Sequence, residues 1–320
     1  MSRISVSVVI PCYNAEAYVR DAVLSALNQT YPIEQIICVD DGSTDNTLSI
    51  LQELCREYPH RLTVRTGPNR GGNHARNIGL GLSASEYVQF LDADDILLEE
   101  KIEQQVGIAE RYNQPDVVVG AYLKGPSISD SKVVVPGSYS DIVNLAGSRM
   151  GRTSSNLWKA SCLRAIGGWG ETVESSQEYD LLFRILKDKG SFLYDHRPLT
   201  FKRDVSHSIT RRGSLTVPVK IVETRVNILK YAKKEKYPEY DIDSIKESLF
   251  YWIKHLRHTS LEEAIRWHKI ADLRSFNPSS KKYGYIYTLI YRVVGFECAE
   301  NIFDILRPVW NIIRSLRSHG

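Results

Sequence analysis

VSVVIPCYNAEAYVRDAVLSALNQTYPIEQIICVDDGST, residues 6–44, decides the fold class. A β-branched run at 6–11 gives way to an amphipathic stretch from Ala15 to Asn28 and then to a second β-branched run at 35–41. That order is the signature of two parallel strands joined by a helix. Outward from it the alternation continues, with candidate strands LTVRTG (62–67), YVQFLDA (87–93) and DVVVGAYL (116–123). Helical periodicity fills Asp45 to Tyr58, Asn73 to Ser83 and Leu98 to Asn113, and Ser43, Thr44 and Asp45 offer caps to the first of these. The expected architecture is an α/β sheet flanked by helices. Ligands in such sheets bind beyond the carboxyl ends of the strands. Four polar loops lie there: Pro11-Cys12-Tyr13-Asn14, Asp40-Asp41-Gly42-Ser43, Gly67 to Gly72, and Asp92-Ala93-Asp94-Asp95.

The chain of 320 residues has room for one large domain and a smaller accessory region. Its five cysteines, Cys12, Cys38, Cys55, Cys162 and Cys298, include no CxxC pair, which argues against a disulfide framework or zinc ribbon and fits a reducing cytoplasm. VSVVIP is too short for a signal peptide. The longest apolar stretch, Tyr283 to Ile313, is interrupted by Arg292, Glu297, Glu300, Asp304 and Arg307, so no membrane-spanning helix is expected.

Of 41 Lys and Arg and 38 Asp and Glu, 18 and 12 fall from Gly213 onward, leaving 23 and 26 before it. The motif-bearing part is therefore net acidic and lacks the basic stripe of a nucleic-acid binder. The basic C-terminal excess suits either a solvated helical surface or attraction to an anionic membrane or lipid-linked substrate.

Beyond an irregular 124–150 stretch, Thr153 to Gly170 and Ser175 to Gly190 supply a turn and an amphipathic helix, and Leu193 to Thr210 reads as a strand and polar loop. Turn residues Arg211-Arg212-Gly213-Ser214 mark a boundary, giving a catalytic region at 1–212 and a helical C-terminal region at 213–320. The latter shows helical spacing over Val219 to Lys236, Ile242 to His258, Leu261 to Leu273, and Tyr285 to Leu316 with a break expected at Pro308. Apolar residues from Ile302 to Leu316 with Arg307, Arg314 and Arg317 suit burial or in-plane membrane contact.

Asp92-Ala93-Asp94-Asp95 follows the apolar run 87–91. If that chain stays extended, Asp92 and Asp94 share a face and can meet one Mg²⁺ or Mn²⁺ ion together with diphosphate oxygens. A solvated helix cap is the alternative. Asp40-Asp41-Gly42-Ser43 can accept from a nucleobase N–H or ribose hydroxyl, or simply cap a helix. Asn69 to Asn77 offers two glycines and the donors Asn73, His74, Arg76 and Asn77 to a polar ligand or phosphate. With neither GxGxxG after the first strand nor GxxxxGK[ST], hydride transfer and nucleoside triphosphate hydrolysis are disfavoured.

VSVVIPCYN, VDDGSTDNT, NRGGNHARNIGL, YVQFLDADD, GGWGE and QEYDLLFR together resemble the family-two inverting glycosyltransferases with the GT-A fold, over about residues 4–210. The resemblance implies a transferase that moves a sugar from a nucleoside diphosphate donor to a hydroxyl acceptor. Cell-surface polysaccharide or glycolipid synthesis is the implied setting. It places Pro11, Tyr13, Asp41 and Arg76 around the nucleoside, Asp92 at the ribose or metal, Asp94 on the metal, and His207 beside the diphosphate and metal. Uridine diphosphate sugars are favoured, since Asp41 could accept from a pyrimidine N3–H. The acceptor implied is a glycan or lipid-linked glycan, expected to be met in the cytoplasm or at the inner membrane face.

Inversion needs a base opposite the leaving diphosphate. The resemblance puts Glu178 in that position, but where relatives carry Glu-Asp this chain has Gln177-Glu178, so Asp180, two residues on, is the alternative base. Ser175-x-x-Glu178 also fits a capping box, in which Glu178 would only bond a backbone amide. Trp169 either stacks on the acceptor sugar or packs in the core. Two rival functions remain: a sugar nucleotidyltransferase, which should carry a glycine-rich basic loop where this chain has PCYNAEAY, and a nucleotide-sugar-binding module without chemistry, which the intact Asp92, Asp94 and Glu178 oppose.

Overall fold

The computed structural model describes residues 3–205 and 215–317, with side chains as far as Leu306. Two compact units, Met1–Arg212 and Gly213–Gly320, divide the chain.

The first unit is built from the expected alternation. β1 (Val6–Cys12), α1 (Val19–Leu27), β2 (Gln35–Asp40), α2 (Thr47–Glu57), β3 (Leu62–Thr66), α3 (Gly72–Leu82) and β4 (Tyr87–Phe90) run in that order. β1 is apolar almost throughout and buried on both faces, as a central strand between two layers of helices must be. β2 pairs with it in parallel on one side and β4 on the other, while β3 extends the sheet beyond β2. Helix α1 turns Val19, Ala22, Val23, Ala26 and Leu27 into the core at a helical period. α3 packs so closely on β1 that a Cβ on Gly79 would lie 2.2 Å from Val9 Cγ1.

Past β4 come β5 (Ile96–Leu97), α4 (Lys101–Arg111), β6 (Val117–Gly120), β7 (Tyr122–Gly125), β8 (Lys132–Val134), α5 (Asp141–Ala146), β9 (Leu157–Lys159), α6 (Ala160–Ala165), α7 (Gln177–Lys187), β10 (Phe192–Asp195) and β11 (Thr200–Arg203). The main sheet has the order β10-β6-β9-β4-β1-β2-β3 and is parallel except for β9, which lies antiparallel between β4 and β6. A second sheet has the order β5-β11-β7-β8. The run 116–123, read as one strand, is therefore two. β6 ends at Gly120, where a Cβ would meet the Ser155 carbonyl at 2.1 Å, and after Ala121 the chain enters the second sheet as β7. This close crossing involves residues 35 positions apart, which no local pattern encodes.

The second unit is helical: α8 (Thr216–Lys234), α9 (Glu239–Leu256), α10 (Leu261–Ile270), α11 (Ser280–Tyr283) and α12 (Tyr285–Arg317). Phe250 is ringed by His268, Phe276, Tyr283, Tyr287, Tyr291 and Phe296. Ser260 caps α10 by accepting from the Glu263 amide. In α12 the non-helical backbone is at Gly295, with φ 78°, rather than at Pro308. A glycine accepts that positive φ without steric cost and thereby takes the break.

Candidate active site

β1 lies between β2 and β4, and the chain leaves it toward β2 before returning on its other side as β4. The loops after β1 and β4 therefore diverge and open a crevice at the switch point of the sheet.

β4 ends at Phe90, so Asp92 to Asp95 is a turn, closed by the Asp95 amide donating to the Asp92 carbonyl at 3.0 Å. The extended geometry expected for Asp92 and Asp94 is corrected, yet the two carboxylates still feel each other's charge. Ser154 braces the turn: its hydroxyl accepts from the Asp92 amide at 3.0 Å and donates to Asp95 Oδ2 at 2.7 Å. Asp95 also accepts from the Arg203 amide at 3.3 Å, and Lys202 Nζ stands 3.9 Å from its carboxylate. Burial pushes the Asp95 carboxyl up to about 7, with Lys202 pulling the other way. Asp94 is raised by burial and then by the Asp92 charge. Burial also acts upward on Asp92, but Arg76 and Lys202 outweigh it and hold that carboxyl below the usual range.

This crowded pair fits a divalent ion. Mg²⁺ and Mn²⁺ are commonly held by one or two carboxylates plus substrate phosphate oxygens, without a complete protein cage. Among the described residues no three His, Cys, Asp or Glu side chains form a group that could hold a metal ion. Asp92 and Asp94 would thus supply two ligands, with diphosphate oxygens completing the set. His207, expected beside them, lies outside the described residues.

On the nucleoside side, Tyr13 is half exposed and Pro11 partly buried. Asn14, at a φ of 47°, ties the two neighbouring loops: its backbone amide donates to the Ser43 hydroxyl, and its side-chain oxygen accepts from the Thr44 amide. Asp41 is buried, and its two oxygens each accept a backbone amide at 2.8 Å, from Arg70 and Gly71. It shapes the loop after β3, and a nucleobase contact would use the remaining lone pairs. Gly42 permits the approach: a Cβ there would sit 2.8 Å from the Asn69 nitrogen, and its φ is +73°.

Arg76, expected at the nucleoside, already has protein partners for both of its terminal nitrogens. It is buried, with one arm donating to Asp92 Oδ1 at 2.8 Å and the other to Asn73 Oδ1 and Gln177 Oε1, both at 3.1 Å. Asn73, His74 and Asn77 are likewise occupied, holding residues 169–173 through the carbonyls of Gly170 and Trp169 and the carboxylate of Glu171. These donors fix a loop rather than wait for phosphate. Trp169 is 1% exposed and packs edge-on to Phe90 and Trp158. Arg76 lies over its ring at 4.8 Å. The expectation that Trp169 stacks on an acceptor sugar is corrected, because its faces belong to the core.

The remaining carboxylates are on α7. Ser176 precedes the helix in left-handed geometry without a side-chain cap bond, and the Ser175 hydroxyl has no hydrogen bond. The capping box is absent. Glu178 instead pairs through Oε1 with Arg152 at 2.8 Å, and no described residue bonds its Oε2. Asp180 is paired with Arg184 one turn along its own helix at 2.9 Å. Positions two apart on a helix differ by about 200° in direction, so the two carboxylates serve different surroundings. Arg152, Ser154, Gln177, Lys202 and Arg203 went unread as site residues. Only the basic pair closing the strand-like run TFKR gave any local signal for the last two.

The sequence profile described as Glycosyl transferase family 2 matches residues 7–144. An uncharacterized glycosyltransferase of Haemophilus influenzae is 30% identical over 203 residues, covering 62% of this chain and 78% of that protein. The poly(ribitol-phosphate) beta-glucosyltransferase of Bacillus spizizenii is 37% identical over 123 residues, 38% of this chain but 19% of that one. Among solved structures, the TarS 1–349 fragment of S. aureus with UDP-GlcNAc matches with TM-score 0.57 and 16% identity, over 88% of this chain and 92% of the other. Mannosyltransferase PcManGT of Pyrobaculum calidifontis, with GDP-Man and Mn²⁺, gives 0.59 and 16%, over 95% and 88%. The fold of both carries over, a central sheet flanked by helices in the GT-A manner. By the profile and by the Haemophilus influenzae relative, this chain belongs to glycosyltransferase family 2.

Proposed function

We propose that this chain uses a divalent ion to transfer a sugar from a uridine diphosphate donor to a hydroxyl of a cell-surface polymer or lipid-linked glycan, inverting the anomeric carbon. The carrying observation is that Arg76 bridges Asp92 and Gln177, so the acidic turn and the start of the helix bearing Glu178 are held in one arrangement. The polymer setting is suggested by the Bacillus spizizenii relative.

Asp92 and Asp94 would hold the ion, which neutralises charge on the departing diphosphate. Glu178 Oε2 takes the acceptor proton as the new carbon–oxygen bond forms and the bond to diphosphate breaks. Arg76 keeps Asp92 ionised and aimed, and Ser154 fixes the turn. Glu178→Gln keeps the shape but cannot take the proton. Single-turnover transfer should fall by roughly 10²–10⁴-fold with uridine diphosphate affinity unchanged. Near-normal transfer by this variant would remove Glu178 from the mechanism.

A peripheral membrane contact is favoured by one feature of α12. Tyr285, Ile286, Leu289 and Val293 form an exposed apolar stripe beside Arg292, while the run 273–296 carries four Lys and Arg and no acid. Such a face suits an anionic bilayer surface. No described helix is long and apolar enough to cross a membrane. Cosedimentation with anionic but not neutral vesicles, lost in Leu289→Glu, is the expected outcome.

A further inference from the structure

We propose that Arg152 is a positioning residue for the proton-accepting carboxylate, gripping Glu178 by one oxygen so that the other faces the acceptor hydroxyl. The inference rests on reading Glu178 as the base. Its ground is the asymmetry of the pair: Oε1 accepts from Arg152 at 2.8 Å, no described residue bonds Oε2, and the side chain keeps 17% of its exposure. A glutamate has three rotatable side-chain bonds. With its helix-cap role absent, no other described side chain bonds its carboxylate.

Arg152 is itself held at several points. Its Nε donates to the Tyr122 hydroxyl at 3.3 Å, at the start of β7 in the second sheet. Its backbone amide donates to Ser155 Oγ at 2.8 Å. Ser155 follows Ser154, the residue that braces the Asp92 to Asp95 turn. The guanidinium also lies 5.8 Å from the Tyr179 ring, next along α7. The grip on Glu178 is thus anchored to the sheet and to the segment that fixes the donor-side aspartates. Orientation and charge oppose each other here. An arginine beside a carboxylate weakens it as a base, whereas loss of alignment by about 1 Å can cost about 10²-fold in rate. The proposal is that alignment wins.

Arg152→Met, Arg152→Lys, Glu178→Gln and the Arg152→Met/Glu178→Gln double variant decide it, with acceptor kcat and KM measured alongside calorimetric titration of uridine diphosphate. Arg152→Met should lower kcat about 10–10²-fold, with acceptor KM and uridine diphosphate affinity within about threefold of the parent. Arg152→Lys should recover part of the loss, since it keeps the charge but not the fork that spans Tyr122 and Glu178. In the Glu178→Gln background Arg152→Met should cost nothing further, because its effect passes through that carboxylate. A kcat at or above the parent value in Arg152→Met, an equal loss of uridine diphosphate affinity, or full multiplication of the two losses would overturn the role. Should Arg152→Met fail to fold, Tyr122→Phe removes the anchor and leaves the ion pair. It should lower kcat several-fold, on the order of one lost hydrogen bond, in the parent and not in Glu178→Gln, and no loss in the parent overturns the proposal. Full turnover in Glu178→Gln alone would instead overturn the base assignment, an outcome separate from any result at Arg152.

Discussion

Asp94 and Asp180 are both carboxylates in the catalytic unit, and their partners give them different fates. Asp94 is raised by burial and by Asp92, which is the state of an anion that a divalent cation would relieve. Asp94→Asn should leave the fold intact and abolish the Mn²⁺ dependence of uridine diphosphate binding, measured by calorimetry with and without a chelator. Retained metal dependence would show that the ion sits elsewhere. Asp180 spends its charge on Arg184. Asp180→Asn should therefore lower stability by only about 0.3–0.5 kcal/mol, with transfer close to normal. Trp169 belongs with the structural residues: Trp169→Phe should destabilise by about 1–3 kcal/mol in urea without moving the acceptor KM, and a raised KM with unchanged stability would restore the stacking role.

Among the elements, α3 and β1 meet in a contact that leaves no room for a methyl group. A Cβ at Gly79 would come within 2.2 Å of Val9 Cγ1 and 2.9 Å of Cγ2, in a core where both sides are fixed by a helix and a central strand. Gly79→Ala should destabilise by about 1–3 kcal/mol despite the better helix propensity of alanine, which is worth about 1 kcal/mol in the other direction. Adding Val9→Ala should recover part of that loss, a coupling that denaturation of the single and double variants would measure. The same helix carries Arg76, so the packing that forbids a methyl also sets the distance from Arg76 to Asp92.

At the scale of the whole molecule, the helical unit brings a pH dependence of its own. His268 is buried, bonded to the Tyr291 hydroxyl at 3.0 Å and stacked on Phe296 at 4.6 Å. Burial, aided by the Arg274 charge, drives it down to about 4. The unfolded chain, titrating near 6.5, binds a proton that the native state refuses, so stability is fully present above about pH 6.5 and is lost as pH falls toward 4. The difference amounts to about 3 kcal/mol. His268→Phe should remove that slope, read as the change in urea midpoint between pH 7.5 and 5, and an equal slope in parent and variant would rule His268 out as its source.

The sequence by itself determined the alternation of strands and helices, because β-branched runs and helical periodicity act over a few residues, and it determined that acidic and glycine-rich loops gather at one edge of the sheet. It also named Asp92, Asp94 and Glu178, whose residue types suit the transfer. Tertiary structure alone decided which side chains face the crevice. A tryptophan serves a core or a sugar equally well, and Phe90, 79 positions away, claimed Trp169 for the core. Gln177, 101 positions from Arg76, accepts from that arginine and so makes it a brace between the acidic turn and the start of α7. Between Glu178 and Asp180 the sequence offered no choice, since both stand in the first turn of one helix. Tertiary structure gave them different partners, Arg152 from a separate segment for Glu178 and Arg184 on the same helix for Asp180, because a charged group meets the partner that the fold brings within reach.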